Sequence, residues 1–412
     1  MTAPDSPVVI LNMHYTGLAI ARDLWRPGRK LIGLSSDKSF FGNRSKYVSF
    51  RLFPDTETAP EACRDFLMEL AADLEGKPVL FPTRDHDVHF IMRYRDELSS
   101  AYTLLYPSSE ILSSILDKSS LAAIAVEAGV YCPQTVEVTC AEDLEATRDQ
   151  LAFPSVIKPV VAASWRRDGI RTVVGDQKAI RVEDFDTLRA LYVAIAEFDK
   201  RVAVQEYIPG PETNLVVFGS CCDFESEIVA WFTGRKFIQY PPNAGTGVVV
   251  EARPVPEIVE LSARLLKRLR YVGLSEVEYK FDEGKNRYAL IEINTRHWDQ
   301  HGLGTAAGVN LSETAYQLLH GRAVQPGTQL DRTVRWIAED SFLVSLMANL
   351  RSRSYPWSMY FGALKGRTSL AVFNWRDPMP ALYLWQSLLR DVVRRGFGRA
   401  AKLVRFRNRE SS

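Results

Sequence analysis

The chain has 412 residues, with 51 Lys plus Arg against 50 Asp plus Glu, 46% apolar and 11% aromatic residues, which excludes a disordered or fibrous protein. The near-neutral total hides an asymmetry: Asp331 to Ser412 contains 15 basic and 6 acidic residues, a balance of +9, leaving −8 before it. Opposed halves of this kind imply contact between the two parts, or a polyanionic or membrane-surface partner for the basic one.

The opening Met1-Thr-Ala-Pro-Asp-Ser-Pro7 lacks the basic residues and apolar run of a secretory signal, and no later stretch approaches about 18 uncharged apolar residues, so a cytoplasmic protein is expected. Cys63, Cys132, Cys140, Cys221 and Cys222 form no C-x-x-C pair, and an odd count fits reduced thiols.

From 8 to 107, short β-rich runs (Val8 to Leu11, Leu31 to Leu34, Val79 to Phe81) alternate with amphipathic segments (Gly17 to Trp25, Glu61 to Leu74, Val88 to Tyr94), the rhythm of α/β structure with a parallel sheet. The first strand runs into Asn12-Met-His-Tyr-Thr-Gly17 instead of G-x-G-x-x-G, which predicts a Rossmann-like domain without a dinucleotide site. Asp117 reads as the N-cap of a helix from Lys118 to Glu127 that stops at Gly129. Residues 155–252 read mostly as strands with one helix, Glu183 to Glu197, and 256–294 as a helix followed by a hairpin, so the middle of the chain is α+β and largely antiparallel.

That hairpin carries the clearest chemistry. Glu276 to Phe281 and Arg287 to Asn294 flank a turn-rich pentapeptide. Alternation places Glu276, Glu278 and Lys280 on one face and Leu290, Glu292 and Asn294 on one face of the partner strand, with Glu278 nearly opposite Glu292. Glu278, Glu292 and Asn294 thereby become candidate ligands for a hard divalent cation shared with phosphate. The pattern alone fits equally well a hairpin with one solvated face.

Arg296 and His297-Trp-Asp-Gln-His301 follow where a strand ends in a loop. His297 and His301 have the i, i+4 spacing of a zinc pair, but no helix-borne Glu lies between them and no third soft ligand is evident, so zinc is not expected. Gly302-Leu-Gly-Thr-Ala-Ala307 reads as a loop leading into a helix.

Four segments in order resemble the ATP-grasp superfamily, and within it the carboxylate–amine ligases that include D-aspartate ligases. They are Asp117-Lys118 before its helix, Val156-Ile-Lys158-Pro159, Val204-Gln-Glu-Tyr-Ile-Pro-Gly-Pro-Glu212, and Leu290-Ile-Glu-Ile-Asn-Thr-Arg296. The resemblance spans roughly 8–322. It implies a Rossmann-like domain (1–107), an ATP-grasp domain (108–330) whose lid covers about 134–206, and a basic, Trp-rich C-terminal extension (331–412). It further implies an enzyme that uses ATP with Mg²⁺ or Mn²⁺ to join a small-molecule carboxylate to an amine. Lys118 and Lys158 would touch phosphates, Gln205, Glu206, Tyr207 and Ile208 the adenine, Glu212 the ribose, and Glu278, Glu292 and Asn294 the metal. Arg296, with Lys158, would be catalytic, steadying an acyl phosphate. The same fold serves bicarbonate-using carboxylases and non-catalytic nucleotide binders.

Arg235, Trp298, Asp299, Gln300, Asp85 and His14 are nominated for the substrate, the last two by position at strand ends. The loop after Lys158, Val160 to Gly169, departs from the family in holding a single glycine where a phosphate-covering lid is glycine-rich; Ser164 or Arg166 would have to replace those contacts. The extension holds Trp336, Trp357, Trp375 and Trp385, and from Ala381 an amphipathic helical run leads into the basic cluster Arg390, Arg394, Arg395, Arg399, Lys402, Arg405, Arg407 and Arg409. That run is expected to pack on the acidic enzyme, to form a homodimer contact, or to rest on anionic lipid at the inner membrane face near a lipid-linked substrate; nucleic acid is not expected.

Overall fold

The computed structural model describes residues 5–160, 164–166, 169–175, 177, 179–242, 245–324 and 327–395. Three sheets organise it. Strands β1 (Val8–Leu11), β2 (Leu31–Ser35), β3 (Ser49–Leu52) and β4 (Val79–Phe81) form a parallel sheet in the order β3-β2-β1-β4. β1, β2 and β4 are buried throughout, as continuous Val/Ile/Leu runs require of strands covered on both sides. The expected parallel Rossmann-like sheet is therefore present.

The second sheet is antiparallel, in the order β5-β8-β6-β7, built from β5 (Thr135–Val138), β6 (Ser155–Pro159), β7 (Ile180–Val182) and β8 (Val202–Glu206). Its helix, Phe185–Ala196, begins at Asp184, whose carboxylate accepts from the Thr187 N–H. The short helix leading into this unit, Lys118–Glu127, is capped as expected by Asp117, which accepts from the Ser120 N–H at 2.7 Å. Gly129 follows it with φ +68°, a left-handed conformation that suits glycine at a helix stop.

The third sheet holds β9 (Leu215–Cys222), β10 (Ile228–Tyr240), β11 (Thr246–Ala252), β12 (Gly273–Asp282), β13 (Arg287–Asn294), β14 (Gly327–Thr328), β15 (Val334–Ile337) and β16 (Arg367–Leu370). Its order is β13-β12-β9-β10-β11-β15-β16, with β14 beside β10. The predicted hairpin is β12–β13, with Glu278 opposite Glu292 and Glu276 opposite Asn294. One expectation fails: the register shifts after Glu278, so that Tyr279 faces Leu290 and Ile291 becomes an extra residue. The bulge turns Leu290 away from Glu292 and into the same core as Val277, Tyr279 and Ile293.

The C-terminal segment is an integral part of this sheet. β15 pairs with β11 and β16 with β15, while Trp336 is buried against Tyr15 of the first domain at 6.0 Å. Asp377, fully buried, accepts from Arg22 (3.2 Å) and from the Ser45 hydroxyl (2.8 Å). The extension expected from 331 onward is thus packed on the rest of the structure as far as Leu388. Its basic cluster from Arg399 onward lies outside the described residues, as do the side chains of Arg394 and Arg395.

Candidate active site

The end of β6 presents Lys158, whose Nζ donates to Gln205 Oε1 on neighbouring β8 at 2.6 Å; Gln205 in turn donates to Thr135 Oγ1 at 2.7 Å. Burial pushes the Lys158 ammonium down to about 7, the positive charge of Lys118 adds to this, and Glu292 pulls the other way. Lys118 is likewise lowered by burial against the pull of Glu292. Two lysines from different elements thus share one neighbourhood with a carboxylate on β13. Gathering like charge without a full complement of anions is what a site for polyphosphate requires.

Across the sheet, Glu278 is bound through both carboxylate oxygens by Lys236 Nζ of β10, each at 2.7 Å. Burial opposes the charge on Lys236, but Glu278 and Glu276 outweigh it and raise its pKa. Glu276, buried, accepts from Asn294 Nδ2 at 2.9 Å. Burial and then Glu278 drive its carboxyl well above the usual range, with Lys236 opposing. Among the described residues no three His, Cys, Asp or Glu side chains stand around one metal position. The expected convergence of Glu278, Glu292 and Asn294 is therefore modified: register brings them together, but Glu278 turns to Lys236 and the Asn294 amide to Glu276. The donor set is all oxygen and partly buried, which suits Mg²⁺ taking one or two carboxylates and completing its shell with phosphate.

Glu206 accepts from the Tyr131 hydroxyl (2.6 Å) and from Lys285, so its side chain is committed to these two partners. The backbone N–H groups of Glu206 and Tyr207 are spent on Gln134 (2.8 Å) and Pro154 (3.2 Å). Among the described residues that of Ile208 has no acceptor. The Tyr207 ring carries the Arg181 guanidinium 4.4 Å from its centroid and the Lys280 ammonium at 5.1 Å, so it faces cations where a purine sandwich was expected. Glu212 accepts from the Tyr355 hydroxyl of the C-terminal segment.

Arg296 lies at the seam between the first domain and the large sheet. Its Nε and Nη2 meet both oxygens of Asp85 at 2.6 and 3.1 Å, a bidentate pair that joins two residues nominated separately. Burial disfavours the guanidinium charge, yet Asp85, Asp299 and Glu276 together raise its pKa. Asp299 stands beside it and accepts from Thr16 at 3.2 Å.

Four substrate nominations are redirected. Trp298 is 2% exposed and stacks on Phe232 at 6.0 Å over Gly219, because the apolar indole is worth more in the core than in a cleft. Gln300 is buried and donates to the Gly247 carbonyl at 2.9 Å. His14 is buried among Tyr15, Phe40 and Phe41. Arg235 is committed to Glu251 at 3.0 Å, which also binds Arg335 of β15. His297 and His301 meet at Ser312 Oγ (3.2 and 2.7 Å), with Asp23 3.1 Å from His301, a buried pin between the two domains. Gly302–Ala306 is itself a short helix. Ser164 donates to Asp199, while residues 161–163 and 167–168 of the lid loop, and the Arg166 side chain, lie outside the described residues. Lys236, Glu276 and Tyr355 were not nominated; Glu276 had a signal, its place on the same hairpin face as Glu278.

Comparison with known proteins places the chain as a whole. Residues 235–326 match the family described as "Carbamoyl-phosphate synthase L chain, ATP binding domain". The chain is 23% identical over 278 residues to a D-aspartate ligase of Enterococcus faecium, covering 65% of each protein. It is 28% identical over 173 residues to a D-alanine–D-alanine ligase of Bacillus anthracis, covering 41% of this chain and 51% of that one. A biotin carboxylase-beta-gamma-ATP complex from Campylobacter jejuni superposes with a TM-score of 0.62 at 17% identity, over 80% of this chain and 74% of that one.

The chain has the ATP-grasp fold. It spans between about half and two thirds of the length of the curated relatives it matches. No helix among the described residues is long and apolar enough to cross a membrane.

Proposed function

We propose that this ATP-grasp protein is an ATP-dependent carboxylate–amine ligase that makes an amide through an acyl phosphate. The observation that carries the reading is the convergence of Lys118 and Lys158 on Glu292, beside Arg296 held by Asp85. A substrate carboxylate oxygen attacks the γ-phosphorus of ATP, the bond to the β–γ bridging oxygen breaks, and ADP leaves. The amine then attacks the acyl carbon, loses a proton, and expels phosphate.

Lys118 and Lys158 hold the phosphates and keep the nucleophile and γ-phosphorus in line. Glu278, Glu292 and Asn294 would hold Mg²⁺ or Mn²⁺, an ion that when bound neutralises charge on the phosphoryl oxygens. The Gln205–Ile208 strand end receives adenine, with the Ile208 N–H as donor, and Glu212 takes the ribose. Arg296 lies where negative charge develops on the acyl phosphate and the tetrahedral species, and Asp85 with Asp299 borders the acid substrate.

The test is phosphate release by purified protein with ATP and Mg²⁺ over a matrix of acids and amines. Turnover that needs both an acid and an amine is expected, and Glu292→Ala should abolish it while nucleotide still binds. ADP release that depends on bicarbonate would favour a carboxylase, the reading supported by the biotin carboxylase likeness. Full activity of Glu292→Ala would remove the site assignment.

For the C-terminal helix Met379–Arg395 we propose peripheral contact with an anionic membrane. Ala381 and Leu384 bury one face, but Leu382 (59% exposed), Trp385 (41%) and Leu389 (64%) form a second apolar stripe beside Trp375 (86%), leading to Arg390 and the basic tail. The full chain, and not one truncated after Pro380, should sediment with anionic vesicles. A dimer in ultracentrifugation without vesicle binding would instead give the stripe to a second copy.

A further inference from the structure

We propose that Tyr355, from the loop between the helices Glu339–Ser352 and Trp357–Ala363, is a positioning residue of the nucleotide pocket that sets Glu212 for recognition of the ribose hydroxyls. The proposal rests on the ATP-binding reading above. It gives the C-terminal segment a role in substrate recognition that its sequence, outside the four matching segments, does not suggest.

The geometry is built from both ends. Asn349, 2% exposed, grips the backbone of Tyr355 on both sides, its Oδ1 accepting the Tyr355 N–H at 2.8 Å and its Nδ2 donating to the Tyr355 carbonyl at 3.0 Å. The ring is buried among Ile238, Val248, Val249, Ile337 and Tyr360. Its hydroxyl accepts the Gln239 N–H at 3.3 Å and lies 3.1 Å from the Gln239 carbonyl, which fixes it against β10.

A phenol has one proton to give, and the carboxylate of Glu212 is the stronger acceptor of the two within reach. A carboxylate offers about four acceptor positions, so the bond from Tyr355 orients it without exhausting its capacity to accept from ribose hydroxyls. Burial, followed by Glu212, pushes the Tyr355 hydroxyl up, so it stays a donor at any working pH. The pairing spans 143 residues, and its phenolic end comes from a segment that also carries β15 and β16 into the same sheet. Ribose selection is thereby tied to docking of the C-terminal segment.

The test compares binding of ATP and of 2′,3′-dideoxy-ATP by calorimetry, which needs no ligase turnover. The wild type should prefer ATP by roughly tenfold or more, the size of hydrogen bonds to a charged group. Tyr355→Phe and Glu212→Gln should each bring that ratio close to unity, and the double variant should go no further than either. Tyr360→Phe serves as a packing control: its hydroxyl bonds Ser345 at 2.8 Å in the same cluster. That variant should keep the wild-type ratio. A wild-type ratio in Tyr355→Phe, or an equal loss in Tyr360→Phe, overturns the positioning role while leaving the ATP reading intact. Failure of the wild type to bind either nucleotide overturns both.

Discussion

Replacing Lys158 by Met gives a pH signature that can be worked from the site. The free lysine, ordinarily near 10.5, is brought to about 7 by burial and by Lys118, with Glu292 and Cys132 as the opposing groups. At pH 7 about half of it is neutral, and at pH 8 about nine tenths. Arrival of a polyphosphate restores the charged form, so binding takes up about 0.5 proton at pH 7 and about 0.9 at pH 8. Affinity should therefore fall as pH rises above about 7, with a slope in log K approaching −0.9 per pH unit near pH 8. The assay is calorimetry with ADP and ATP in two buffers of different ionisation enthalpy, comparing wild type with Lys158→Met. Removing Lys158 should abolish most of the uptake, leaving the smaller part of the same sign due to Lys118, which burial also lowers. Equal proton uptake by the two proteins would refute the placement of Lys158 against the phosphates.

Two further predictions concern the scaffold of the site. Lys236→Met leaves Glu278 buried without its cation and should cost about 3–5 kcal/mol in denaturant unfolding, most of it recovered by Lys236→Met with Glu278→Met; a loss under about 1 kcal/mol would show the pair to be solvated. Gly219→Ala would set a Cβ 2.6 Å from the Trp298 indole and 2.7 Å from Phe232, so about 1–3 kcal/mol should be lost with a shift in tryptophan emission, and unchanged stability would mean that the stack is loose.

The local patterns were legible because their causes are local. Alternation around a turn-rich pentapeptide defined β12 and β13 and brought Glu278 opposite Glu292, and an aspartate before an apolar run capped the Lys118 helix. Lys158, a charge closing an apolar strand, called for a polar partner, and Gln205 supplies it. The β-bulge at Ile291 was hidden, since apolar residues on either side of Glu292 fit a regular strand equally well and only the packing of Leu290 and Ile293 into one core distinguishes the two.

The nominations that changed share a physical cause. Trp298, Gln300 and His14 follow or precede strands where loops commonly carry function, yet each is buried once a neighbouring element covers it, the rings by apolar packing and Gln300 through its bond to the Gly247 carbonyl. Whether a strand-end residue lines a cleft or fills a seam depends on the element opposite, and the first domain and β11 supply those elements here.

By itself, then, the sequence determined the alternation of elements, the hairpin with its carboxylates and the charge asymmetry of the chain, and it singled out Lys118 and Lys158 as candidates. Tertiary structure decided the partners: Lys236 for Glu278 across 42 residues, Tyr355 for Glu212 across 143, and Asp85 for Arg296 across 211. It also decided that the basic C-terminal part, through β15 and β16, is a piece of the large sheet. The division has one reason: periodicity and capping act over a few residues, whereas a buried charge takes its partner from whatever strand the sheet order places beside it, and that order is set by the packing of all the elements together.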